Sequence, residues 1–341
     1  MTSYIHRSLT DDSAAFSDCN SDISGEFPTT SSENRRLFLS INSDVLIQHL
    51  ITQLESSPSV DAKKQAAMEL RLLAKNKPEN RLKIVEYGAV KPLISIIMSS
   101  DTQLQEHGVT AVLNLSLCDE NKEVLVKLGA IDAIIRALKT VNSSSTTKEN
   151  AACCLLRLSN NVDEFKYKIG RAGGLPLLVS LLEAGSIRGK KDACTAIYSL
   201  CSVKENKVRA VECGVMKVLV EMMADLGSSM VDKCAFVVGL LVGVVEGRVS
   251  LVEEGGIPVL VEILEVGTQR QKEIAVVILL QVCGESVVYR TMVAREGAIP
   301  PLVAFTQSGT SRAKQKAETL IELLRRPRSG NNANSQDLSD N

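Results

Sequence analysis

The sequence predicts an all-α solenoid, a row of small helical units stacked side by side, on three observations. A glycine followed by an apolar helix recurs six times, as YGAVKPLI at Gly88, LGAIDAII at Gly129, AGGLPLLV at Gly173, CGVMKVLV at Gly214, EGGIPVLV at Gly255 and EGAIPPLV at Gly297. These glycines stand 41, 44, 41, 41 and 42 residues apart, a period that belongs to stacked helical repeats. Hydrophobic residues make up 45% of the chain, yet aromatics are only 3% and Trp is absent. Interiors must then be built from Leu, Ile, Val, Ala and Cys, side chains that suit helix packed on helix.

One unit shows the logic. In Asn121–Lys139, NKEVLVKLGAIDAIIRALK, Val124, Leu125 and Leu128 lie on one face of a short first helix. Ile131, Ile134, Ile135 and Leu138 follow at i, i+3, i+4, i+7, the stripe that a second helix buries. Gly129 sits between them, where a left-handed cap residue must stop the first helix. Such a unit is too small to fold alone and needs neighbours like itself. A single globular core would be near its size limit at 341 residues, whereas a solenoid core runs on through adjacent units.

Composition narrows the function classes. Net charge is −1 with a pI near 6.4, which argues against a generally basic nucleic-acid or membrane-surface binder. The nine cysteines form no CxxC pair or Cys/His cluster. Cys118, Cys201 and Cys283 recur at the ends of third helices, so buried free thiols are the preferred reading over metal ligands. No secretory signal is visible, and the longest apolar run, Cys234–Val245, is too short to cross a bilayer. A protein of the cytoplasm, the nucleus or both is expected, without membrane insertion.

In chain order, residues 1–42 are rich in Ser, Thr and Asp, with Phe16, Ile23 and Phe27 isolated. They read as a disordered tail, either merely solvated or a phosphorylatable regulatory segment. Residues 43–79 form an amino-terminal helical cap, with helices over Val45–Glu55 and Asp61–Lys75. Residues 80–326 hold six repeats, beginning near Asn80, Asn121, Phe165, Asn206, Gly247 and Tyr289. Asn80, Asn121 and Asn206 stand eight residues before a junction glycine. There they are expected to cap the first helix by accepting a backbone N–H, a ligand contact being the alternative. Pro176, Pro258 and Pro300 fall in the first turn of a second helix, where no hydrogen bond is lost. After polar turns, third helices are expected over Gln105–Cys118, Lys148–Asn160, Lys190–Ser202, Val231–Val245, Gln271–Cys283 and Arg312–Arg325. These are the most apolar stretches, which marks them as central. Residues 327–341 revert to a polar, disordered tail.

Three helices per repeat and the junction pattern resemble armadillo repeats. More narrowly, AVLNLSLCDENKEVLVKLGAI, GSIRGKKDACTAIYSL, EGGIPVLVEILEVGTQRQKE and EGAIPPLVAFTQSGTSRAKQKAETLIELLRR resemble the armadillo region of plant U-box ubiquitin ligases. The likeness covers roughly Val45–Pro327. It implies a right-handed superhelix whose third helices line a groove for a protein or peptide, with ubiquitin-pathway proteins as possible partners. In that family a U-box of about 70 residues precedes the repeats. The 42 residues here are too few and too polar for such a core, so the substrate-recognition half by itself is expected.

Site candidates follow from aligning the third helices. Arg71, Asn114, Arg157, Ser199, Gly239 and Gln281 fall at matching positions, with Leu240 the alternative in the fifth slot. These are polar breaks in apolar helices. Either they satisfy local backbone and solvent, or they form a groove column that pairs with an extended peptide. Asn114, in AVLNLS, matches the armadillo motif. Nuclear-import adaptors of this class use repeated Trp/Asn pairs, which are missing here; Arg71 and Arg157 instead point to an acidic or phosphorylated ligand. EAGSIRGKKDA departs from a nucleotide loop in spacing and lacks the Ser or Thr after Lys190. Arg188, Lys190 and Lys191 are a solvated turn or an anion patch. The three histidines, His6, His49 and His107, are scattered, and no catalytic constellation, metal or cofactor is expected. The sequence therefore predicts a non-catalytic protein-binding scaffold or adaptor. The alternative is a component taking part directly in ubiquitin transfer.

Overall fold

The computed structural model describes residues 43–326; the two expected tails, 1–42 and 327–341, lie outside the described residues. Among the described residues there are twenty helices and no strand. A helix pair comes first, α1 (Ser43–Ser56) and α2 (Val60–Asn76). Six triplets follow. The first helices are α3 (Pro78–Glu86), α6 (Asp119–Lys127), α9 (Asp163–Arg171), α12 (Lys204–Glu212), α15 (Val245–Glu253) and α18 (Val287–Arg295). The second helices are α4 (Val90–Ile97), α7 (Ala130–Lys139), α10 (Gly174–Ala184), α13 (Val215–Ala224), α16 (Gly256–Val266) and α19 (Ile299–Ser308). The third are α5 (Thr102–Leu115), α8 (Ser145–Ser159), α11 (Ile187–Leu200), α14 (Val231–Leu241), α17 (Gln269–Gly284) and α20 (Ser311–Arg325).

Every junction glycine is left-handed, with φ from +74° to +95°. At Gly88 the chain then closes as the sequence requires, with Gly88 N–H donating to Val85 O and Ala89 N–H to Ile84 O. The second helix that follows buries the predicted stripe: Ile131 and Ile134 are fully buried, and Ile135 and Leu138 nearly so. On α6 the expectation holds for Leu125 but not Val124, which is 39% exposed, because Asn121 and Leu125 face the interior instead.

Five of the six third helices begin earlier than the apolar pattern indicates, while α14 begins at Val231 as expected. Asp101, Ser144, Ser186, Thr268 and Thr310 in the polar turns accept N–H groups of the first turn, so each turn is itself the start of a helix. At the other end, α14 stops at Leu241 rather than Val245. The following first helix must start ten residues before its glycine, as in the other repeats, and that register overrides local propensity.

The asparagines do not cap as expected. The first helices start at Pro78, Asp119 and Lys204, and their caps Lys77, Cys118 and Val203 accept no backbone N–H through the side chain. Asn80, Asn121 and Asn206 lie inside the first turn and donate rather than accept. Asn121 Nδ2 bonds Leu115 O at 3.1 Å and Arg81 O at 3.0 Å. Asn206 Nδ2 bonds Leu200 O at 3.0 Å and Lys166 O at 2.9 Å. Each amide thus ties the end of a third helix to the first helix of the preceding repeat.

Candidate binding groove

Third helices α2, α5, α8, α11, α14, α17 and α20 pack on one another in serial order, and at every step more extensively than the second helices do. That is the packing of helices on the inner arc of a curved stack. Their sequences carry sixteen Lys and Arg against nine Asp and Glu, in a chain whose net charge is −1. The third helices therefore carry more basic than acidic residues, half of the cations lying on the two end helices α2 and α20.

The aligned column is brought together in register but is not uniformly presented. Asn114 is 0% exposed, and its Nδ2 donates to Arg71 O at 3.1 Å, so this amide joins α5 to α2. Arg71 is 6% exposed, with Nη1 3.2 Å from His107 Nδ1. A guanidinium only donates, so Nδ1 accepts and the ring proton sits on Nε2. Gly239 and Leu240 are buried, whereas Arg157, Ser199 and Gln281 are half-buried. The presented part of the column thus runs from α8 to α17.

Residues seven and eleven positions before the column share its face, since both spacings return to the same side of a helix. Seven before come Lys64, His107, Asn150, Asp192 and Asp232; eleven before come Arg188 and Arg270. Composition alone did not mark these rows, but the same alignment that gave the column contains them. They form links from repeat to repeat. Lys64 Nζ lies 2.8 Å from Asp101 Oδ2, and Asn150 Nδ2 donates to Thr110 Oγ1 at 2.9 Å. Arg270 lies 3.6 Å from Asp232 and 5.5 Å above the Phe236 ring.

Arg188 is neither in a solvated turn nor open to an anion. It lies in the first turn of α11 and donates to Asn150 Oδ1 at 2.8 Å and Glu149 Oε2 at 3.2 Å, with Asp192 at 3.5 Å. Two carboxylates already answer its charge. Lys190 and Lys191 are half-buried further along the same helix.

Among the described residues no group of three or more His, Cys, Asp or Glu could hold a metal ion. The described cysteines are free, and burial raises the Cys201 and Cys283 thiols to about 12. His49 and His107 sit on α1 and α5, and His6 lies outside the described residues. An open cleft lined by Ile135, Arg136, Lys139, Pro176 and Leu177 lies between second helices α7 and α10. No described helix is long and apolar enough to cross a membrane.

With the geometry in place, comparison with known proteins is informative. The family model described as Plant U-box protein ARM repeat region matches residues 46–338. The E3 ubiquitin-protein ligase SPL11 of Oryza sativa subsp. japonica is 46% identical over 79 residues, 23% of this chain and 11% of that protein. U-box domain-containing protein 4 of Arabidopsis thaliana is 44% identical over 89 residues, 26% of this chain and 10% of that protein. The aligned region thus spans only about a tenth of these relatives. An engineered protein of known structure superposes with a TM-score of 0.72 at 23% identity, over 82% of this chain and 68% of that one. A designed armadillo repeat protein for modular peptide recognition gives 0.51 at 20% identity, over 81% and 99%. The fold is accordingly a right-handed armadillo superhelix, as the resemblance to armadillo repeats implies.

Proposed function

Because the chain belongs to the plant U-box protein ARM repeat region family, we propose that it is a non-catalytic scaffold or adaptor that holds a partner protein. Its binding surface is the row of third helices, and its ligand is an extended acidic or phosphorylated segment. The observation that carries this reading is the excess of Lys and Arg over Asp and Glu in the third helices, together with a half-buried Arg157 in the same column as half-buried Ser199 and Gln281. A peptide lying there exchanges water for Ser199 and Gln281 side chains and for cationic charge. Architecture supports the mode, since a designed relative in fold was made for modular peptide recognition. The ubiquitin link in this proposal is drawn from the names of the relatives, and the cytoplasm or nucleus is its proposed compartment.

Fluorescence polarisation with two labelled peptides, one phosphorylated and acidic and one lysine-rich, tests the ligand class. The acidic peptide should bind, and more weakly as salt rises. Preference for the lysine-rich peptide would refute it. The second reading, direct participation in ubiquitin transfer, is favoured by the ligase name of one relative. A reconstituted reaction lacking any other ligase decides between the two: transfer that depends on this chain would replace the adaptor reading.

A further inference from the structure

We propose that the cleft between second helices α7 and α10 is a further binding site, separate from the groove, for a partner segment in which a carboxylate and an apolar side chain stand two residues apart. The cleft has a volume of about 710 Å³, within the range of about 300–1,000 Å³ that holds small ligands. Its apolar lining is Ile135, Pro176 and Leu177, and its charged lining is Asp132, Arg136 and Lys139 of α7. Arg136 and Lys139 are exposed, and among the described residues neither forms an ion pair. The cations Lys64, Arg188 and Arg270 of the third helices, by contrast, are each answered by a carboxylate. The facing stretch Ala172–Leu177 carries no charge at all.

The repeat itself does not require these cations. Arg136 and Lys139 stand seven and ten residues after Gly129, and the same two positions in the other repeats hold no Lys or Arg. In the fifth repeat they are Glu262 and Glu265. An exposed, unpaired pair confined to one unit of a repeating fold answers to something outside the fold. Its charge calls for a carboxylate, which the Arg136 fork can hold by two parallel hydrogen bonds. Gly173, the uncapped amino end of α10, lines the same cleft and adds its partial positive charge. Asp132 lies one turn before Arg136 and repels a carboxylate at that end. The ligand's carboxylate therefore belongs at Lys139 and Arg136, and its apolar side chain against Ile135, Pro176 and Leu177. In an extended segment, residues two apart face the same side, which sets the spacing.

Fluorescence polarisation of the full-length chain with a labelled Gly-Asp-Ser-Leu-Ser-Asp-Gly peptide tests this. Arg136→Ala with Lys139→Ala should weaken binding tenfold or more, with helicity unchanged because both side chains are exposed. Asp132→Asn should tighten it, a gain that damage to the fold cannot produce. Replacing the peptide's Asp residues by Asn, or its Leu by Ser, should abolish it, and Arg157→Glu on the third helices should leave it unchanged. No binding to the wild type, or equal affinity in the Arg136/Lys139 double variant, overturns the proposal and leaves the groove reading standing. So does a loss on Arg157→Glu as large as that of the double variant, which would place the peptide on the third helices instead.

Discussion

Asn206, on the first helix of the fourth repeat, donates its amide to Lys166 O across the repeat boundary at 2.9 Å, and to Leu200 O at 3.0 Å. Its Oδ1 lies over Gly170 of α9, where an added Cβ would come within 1.9 Å of that oxygen. One amide thus closes the end of α11 and fixes how the third and fourth repeats meet. Asn121 makes the same pair of bonds two boundaries earlier in the stack.

Asn206→Ala should cost about 1–3 kcal/mol in urea unfolding, since two buried carbonyls lose their donor. Gly170→Ala should destabilise by forcing the amide aside. The double variant should cost less than the sum of the two, because the clash disappears with the amide. Additive losses would show that the two sites are independent.

Gly129 has φ +95° and open space around a built Cβ. Gly129→Ala should therefore cost only the conformational penalty, about 1–2 kcal/mol. Asn at the same position should cost less than Ala in thermal melts, because it tolerates the left-handed region better.

Thiol labelling at pH 8 should separate two groups of cysteines. Cys153, Cys154, Cys194, Cys201, Cys234 and Cys283 are buried, while Cys118 and Cys213 are half-exposed. With Cys201 and Cys283 raised to about 12 by burial, the thiolate is scarce as well as inaccessible. Native protein should label at Cys118 and Cys213 well before the buried six, and unfolded protein at all.

Glu205 lies between Arg171 and Arg209, and hydrogen bonds from both hold its carboxyl at about 2. A lowered folded-state value means that its contribution is complete above the ordinary carboxylate range and fades as pH falls towards 2. Glu205→Gln should flatten part of the acid limb of a stability–pH profile and leave the profile above pH 6 parallel to wild type. The effect should be small and weakened by salt, because the site faces solvent.

Fold class was legible because glycine leaves a strong mark: a left-handed position at fixed spacing can be read without coordinates. Helix starts were less legible, because apolar periodicity is silent about turns such as SSDTQ whose Asp101 is already a cap. The role of Asn121 and Asn206 was hidden for a different reason. A cap is a local bond, whereas these amides reach a carbonyl forty residues away, and no short window contains both partners. The groove column was legible as an alignment, but burial was not. Asn114 and Arg157 occupy matching positions, yet the first is sealed against α2 and the second reaches the surface.

The measurement that bears most directly on the account is the affinity of the acidic phosphopeptide for Arg157→Glu, set beside Lys217→Glu. Lys217 lies on second helix α13, with a side chain 63% exposed, and removes the same charge from the opposite face. Isothermal titration should show Arg157→Glu binding tenfold or more weakly, about 1.4 kcal/mol, with Lys217→Glu close to wild type and both proteins fully helical. Equal affinity in the two variants would contradict the assignment of the third-helix row as the binding surface.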